Sequence, residues 1–253
     1  MTRLWRHLLN EARRDLWLAR RYWVETVLGL GFVVSLFGGL VYAVPKASGQ
    51  SLASGQADGL IAGFALWLFA SGAAHAASKE IVEETRQRTL EQLNLAPLSL
   101  AGLLGLRLAL GLATGLVLLV LTLMLIGVLT DGRVQVSPTL LGLAVLGCPS
   151  LAGIGYAIGG LSLLVKRGEL LMVAAYPVVI ALVSLPAYPV SELAWLPYAL
   201  ATAAARAAST GTALSADVWP WVALNSAAWL ALGLLCFRAC LARARRLGVL
   251  GHL

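Results

Sequence analysis

Apolar residues run along this chain in six long blocks separated by polar connections. The blocks cover about residues 23–44, 59–78, 101–130, 139–165, 170–186 and 218–240. A hydrocarbon core about 30 Å thick needs roughly 20 apolar residues per helix, so each block is expected to cross a membrane as a helix. The third and fourth are long enough to tilt or to project beyond the lipid. The fifth contains Pro177, which a membrane helix tolerates as a kink when neighbouring groups satisfy the freed backbone. The expected fold is all-α, with six transmembrane helices in a single permease-like membrane domain over residues 1–253.

Ahead of the first block, Leu4, Leu8, Ala12, Leu16 and Ala19 recur at helical spacing, with Trp5, Leu9 and Trp23 beside them. Arg3, Arg6, Arg13, Arg14 and Arg20 occupy much of the remainder. That pattern predicts an amphipathic helix over residues 1–22, lying along the inner leaflet. A signal peptide has a short charged lead and an apolar region of roughly 7–15 residues. The longer lead and longer apolar block here predict a retained first span.

Charge sets the orientation. Only 12% of the residues are charged, about half the share in soluble domains. Of the 19 Lys and Arg residues, all but Lys46, Arg133 and Arg206 fall on one side of the expected spans. By the positive-inside rule both termini are expected in the cytoplasm, which six spans require. The net charge of +7 is thus a topology signal between apolar runs and not a nucleic-acid patch. Cys148, Cys236 and Cys240 lack the paired spacing of a disulfide framework and read as small apolar residues.

The densest polar segment is Lys79–Leu100, KEIVEETRQRTLEQLNLAPLSL. Four of the chain's 12 acidic residues, Glu80, Glu83, Glu84 and Glu91, share it with Lys79, Arg86 and Arg88. Spacing of four between Glu84 and Arg88, and of three between Arg88 and Glu91, predicts a short helix with ion pairs along one face. Pro97 is expected to end it. A cytoplasmic helix rich in both charges and followed by a Leu-rich exit suits docking into a protein groove.

The run Glu83-Glu84-x-Arg86-x-x-Thr89-Leu90-Glu91-Gln92-Leu93, followed by Ala96-Pro97-Leu98-Ser99, resembles the coupling-helix signature of ABC-2 type transporter permeases. Arg88 stands where that family commonly has Gly. The basic tail Arg245-Arg246-Leu247-Gly248-Val249-Leu250-Gly251-His252 is similar to the ends of many such permeases. The resemblance implies a permease subunit of an exporter in a bacterial or archaeal cytoplasmic (inner) membrane. It implies two permease subunits, identical or related, each clasped by a separate ABC ATPase. ATP and Mg would then bind the partner ATPase, with no cofactor or metal in this chain. Glu83, Glu84, Arg86, Arg88, Leu90, Glu91 and Leu93 would dock the ATPase through the coupling loop 79–98. The cargo would be an amphiphilic or hydrophobic molecule. The chain has no G-x-x-x-x-G-K-[ST] phosphate loop and no Gly-Lys pair, in agreement with an engine on another polypeptide.

A second stretch, Gly147-x-Pro149-Ser150-Leu151 with Lys166-Arg167-Gly168-x-Leu170-Leu171 and Pro177, resembles the haem exporter B-type permeases of cytochrome c maturation. That narrower role is one alternative, and a proton-coupled secondary transporter is another. The second would need ionisable residues near the midplane. Glu25 and Glu169 instead lie near the cytoplasmic span ends, and a lone His75 near the inner end of span two reads as structural. Neither H-E-x-x-H nor G-x-S-x-G occurs, so no enzyme motif is present.

Two further patterns concern packing. Gly111-x-x-x-Gly115 and Gly155-x-x-x-Gly159 put small residues one turn apart, where helix backbones can approach closely, either within the chain or between two subunits. Segment 187–217 combines Pro189, Pro197, Tyr188, Trp195 and Tyr198 with an Ala-rich run too short to cross and return. It is expected to form an external re-entrant segment before the last span, as the resemblance also implies.

Overall fold

The computed structural model describes residues 13, 17, 20–47, 58–86, 100–165 and 168–247. They form helices α1 (Trp23–Ala47), α2 (Asp58–Arg86), α3 (Leu100–Leu129), α4 (Pro138–Ser162) and α5 (Gly168–Ser184). A 3-10 turn at Glu192–Trp195 leads to α6 (Ala199–Ser209) and α7 (Val218–Arg246). Among the described residues there is no strand. The expected amphipathic segment 1–22 lies almost wholly outside them.

Among the described residues, four helical stretches are long and apolar enough to cross a membrane: Ile61–Glu84, Gly102–Leu129, Pro138–Ser162 and Val218–Arg246. They mark the chain as an all-α membrane protein. The other two expected blocks fall on α1 and on α5, which has 17 residues and contains Pro177. Two helices run more than three residues beyond the apolar blocks that predict them. The second block does not stop at Ser78, because Lys79–Arg86 continues α2 without a break. That stretch has no Gly or Pro and is rich in Glu, Lys and Arg, which favour a helix whatever their polarity. Likewise α7 runs past Cys240 to Arg246, where Arg243, Arg245 and Arg246 complement the negative end of the helix dipole.

Helix α4 is central, packed between α2 and α7, with α6 also packed against it. It starts on Ser137, whose hydroxyl accepts from the Leu140 N–H at 3.1 Å, with Pro138 in the first turn. Its glycines serve two faces. On one, Gly155 and Gly159 admit α2, and a Cβ at Gly155 would lie 2.5 Å from the Ala74 carbonyl oxygen. On the other, Gly153 meets Gly233 of α7 backbone to backbone. Beyond α2, helix α3 packs next and α1 flanks α3. Val117, Leu121, Met124 and Val128 of α3 are exposed at helical spacing, as a lipid-facing surface requires.

The expected re-entrant segment contains α6, whose 11 residues span about 16 Å, half of a hydrocarbon core. It is almost entirely buried against the bundle. Tyr198 precedes it in the left-handed conformation, with φ +67°, and is fully enclosed. Its hydroxyl donates to the Ala144 carbonyl oxygen at 3.2 Å. Gly147 makes this possible, since a Cβ there would lie 2.7 Å from the Tyr198 ring and 2.6 Å from Ala201 Cβ. Gly147→Ala is therefore expected to lift α6 from α4 and to cost about 1–3 kcal/mol. Gly59→Ala, which meets nothing within 4 Å, is expected to be neutral or slightly stabilising. Thermal unfolding in detergent checks both, and an unshifted Gly147→Ala midpoint would refute the close contact.

Candidate functional site

Trp67, Ser71, His75 and Lys79 follow one another at intervals of four along α2, so they share one face of an otherwise apolar helix. This face lines a cavity of about 440 Å³ bounded by α3 and by Tyr176 of α5. Across it, α3 presents Gly111 and Gly115. A Cβ at Gly111 would meet nothing within 4 Å, and one at Gly115 would make only ordinary contact with Phe69, at 3.4 Å. The expected close helix contact is thus not formed at Gly111 among the described residues. The missing side chains hollow out the space. At Gly155 and Gly159 the same spacing does produce close packing.

His75 is buried and braces α2 against α5. Its Nδ1 lies 2.7 Å from the Ser71 carbonyl oxygen and its Nε2 lies 2.9 Å from that of Met172. A neutral ring can donate to one of these oxygens and a doubly protonated ring to both. The ring also stacks on Tyr176, with centroids 4.0 Å apart. The structural reading of His75 fits this geometry. Two neighbours on the stripe differ: the Ser71 Oγ and Trp67 Nε1 atoms are buried with no hydrogen-bond partner. A buried polar atom left in that state costs about 1–3 kcal/mol.

Trp67 also borders a second, smaller cavity of about 120 Å³, towards the α5–α6 side. Arg206 of α6 lines it, together with Gly63, Phe64 and Ser184. Arg206 Nη2 donates to the Leu185 carbonyl oxygen at 2.8 Å, while its buried Nε has no partner. Among the described residues no carboxylate pairs with this guanidinium. Arg206 lies on α6, outside the spans, and burial lowers its pKa from the usual arginine value, since desolvation disfavours the charged form.

At the other end of the stripe α2 carries its acidic cluster. Glu80 Oε2 and Glu84 Oε1 receive hydrogen bonds from Arg107 Nη1 of α3 at 2.5 and 2.9 Å. The Arg107 side chain is 13% exposed and that of Glu84 16%. Glu84, expected to pair with Arg88, is held by Arg107 of α3, and its expected partner lies outside the described residues. Glu83 is exposed, and Arg86 is the last residue of α2. Arg88, Leu90, Glu91 and Leu93 lie outside the described residues. At the opposite end of α2, Arg133 Nε donates to buried Asp58 Oδ2 at 2.8 Å.

Sequence reasoning treated Arg107 as a topology charge, and Lys79 and Ser71 as parts of a loop and a span. The readable signal was the i, i+4 recurrence of four non-aliphatic residues within an apolar run. Comparison with known proteins gives no match to a family model, to a curated protein or to a solved structure.

Proposed function

We propose that this chain is the membrane subunit of an exporter driven by a separate ABC ATPase, of the ABC-2 permease type. The observation that carries the reading is the construction of the inner end of α2. The helix continues eight residues beyond Ser78, about 12 Å, and Arg107 ties that extension to α3. A partner pressing on segment 87–99, which joins α2 to α3, would move two helices together and not merely bend a loop. The exposed Glu83 and the sequence of segment 87–99 supply the charged and apolar side chains for docking. The cavity beside α2 supplies room for a cargo.

In this reading α1 and α5 complete six spans, both termini face the cytoplasm, and α6 is the outer re-entrant element. ATP and Mg belong to the partner ATPase, and a second permease subunit completes the transporter. The exposed apolar surfaces of α1 and α3 are available to that subunit and to lipid.

Co-purification with the partner ATPase tests the proposal. Truncating one member of a buried interfacial charge pair typically costs about 2–5 kcal/mol, so Glu91→Lys should weaken association at least tenfold. Leu93→Ala should act in the same direction. Glu192→Lys, at an exposed site on the opposite side of the expected membrane, should leave association intact. The purified chain alone should not turn over ATP. Normal association and transport by the Glu91 and Leu93 variants, or robust ATP hydrolysis by the single chain, would overturn the reading.

A further inference from the structure

The two cavities share Trp67, and each ends on a cation: Lys79 in the larger, Arg206 in the smaller. Among the described residues no Asp or Glu lines either one. The polar atoms left over between the cations are hydrogen-bond donors, the Trp67 indole N–H and the Ser71 hydroxyl, both buried and without a partner. The half-buried Arg206 guanidinium, with one carbonyl acceptor and a buried, unused Nε–H, is likewise a donor awaiting an acceptor. His75, Thr122 and Ser184 also line the cavities but are hydrogen-bonded to backbone carbonyls, and most of the remaining lining is apolar, including Leu68, Leu112, Leu118 and Leu119.

We propose that the two cavities are successive parts of one binding path for a single-chain anionic amphiphile, with Trp67 as the partition between them. The anionic head is met by Lys79 at one end and by Arg206 at the other, and the chain lies against α3 where Gly111 and Gly115 leave space. A volume of about 440 Å³ is near the small end of ligand sites, which run from roughly 300 to 1,000 Å³, and suits one hydrocarbon chain. The smaller cavity has room for a head group only. Passage between them requires the Trp67 ring to move, and Phe64, edge-on to it at 6.4 Å, is its neighbour on the far side. Glu83, one turn beyond Lys79, does not line the path. The path rests on the transport reading only for the role of its ligand as cargo. Its ability to bind is independent of what docks at the inner end.

The test uses the full chain in nanodiscs of zwitterionic lipid, with dibromostearate as the probe and quenching of tryptophan fluorescence as the signal. Quenching should saturate, and the saturable part should disappear in Trp67→Phe. Because one head group occupies one end at a time, Lys79→Gln combined with Arg206→Gln should weaken binding at least tenfold, the worth of one hydrogen bond to a charged group, whereas Arg206→Lys should retain most of it. Gly111→Leu should abolish binding by filling the space, and Val117→Leu, on the exposed face of α3, should leave it unchanged. Competition by lysophosphatidate, compared with unbrominated stearate, tells a phosphate head from a carboxylate. Equal quenching by brominated phosphatidylcholine, or saturable quenching indifferent to the combined Lys79→Gln and Arg206→Gln change and to Gly111→Leu, would overturn the proposal. If Gly111→Leu does not fold, the combined Lys79→Gln and Arg206→Gln variant decides the matter. Loss of ATPase association with intact probe binding would count against the transport reading alone.

Discussion

Valine at position 233 is expected to prevent the bundle from assembling, the largest effect of any single substitution considered. Gly233 of α7 faces Gly153 of α4, and a Cβ on Gly233 would fall against the Gly153 carbonyl carbon and oxygen. The reverse holds too, since a Cβ on Gly153 would meet the Trp229 carbonyl. Neither clash can be relieved by turning a side chain, because both surfaces are backbone. Overpacking a core usually costs about 1–3 kcal/mol when neighbours can shift, and here the helices themselves must separate. Gly233→Ala should already lower the thermal midpoint in detergent. Gly233→Val should give little monodisperse protein on size exclusion. Gly39→Ala, in open space on α1, should behave as wild type. A wild-type midpoint for Gly233→Val would mean that α4 and α7 do not cross at these residues.

That crossing also shows where sequence reading ran out. The apolar blocks located α3, α4 and α7 to within a few residues at their starts, because a membrane-length apolar run permits little else. Ends were less legible. Polarity rises at Lys79, but polarity does not break a helix, and α2 continues through eight residues, five of them Glu, Lys or Arg, to Arg86. Glycine spacing was legible as a pattern and ambiguous as a contact. Gly155 and Gly159 meet α2 closely, whereas a Cβ on Gly111, at the start of an identical motif, would meet nothing within 4 Å among the described residues. Gly153 and Gly233 belong to separate helices, so no local motif links them.

The polar stripe on α2 was visible in principle, but a reading of His75 in isolation separated it from Trp67, Ser71 and Lys79. Only the fold places that stripe opposite two glycines. It also turns Arg107 from one of many positive charges into a partner for Glu80 and Glu84.

Replacing Arg107 with methionine is expected to separate the stability of the bundle from the coordinated motion of α2 and α3. Methionine preserves much of the apolar stem but removes the guanidinium held by Glu80 and Glu84. Two carboxylates then remain one helical turn apart beside α3, with nothing from Arg107 to offset their repulsion. Breaking a buried ion pair from one side costs about 3–5 kcal/mol, and Glu80, whose side chain is 34% exposed, is better reached by water, so roughly 2 kcal/mol is expected here. Adding Glu80→Gln and Glu84→Gln should recover most of the lost thermal stability, because the like charges are gone. It should not restore the rigid link between the two helices. Under the transporter reading, the triple variant should therefore bind the ATPase yet export poorly, while a charge-swapped pair, Arg107→Glu with Glu84→Arg, should regain part of both properties. Melting curves and transport measured on the same preparations distinguish the two contributions. If Arg107→Met melts with wild type and transports normally, the ion pairs are a peripheral feature and the inner end of α2 moves without α3.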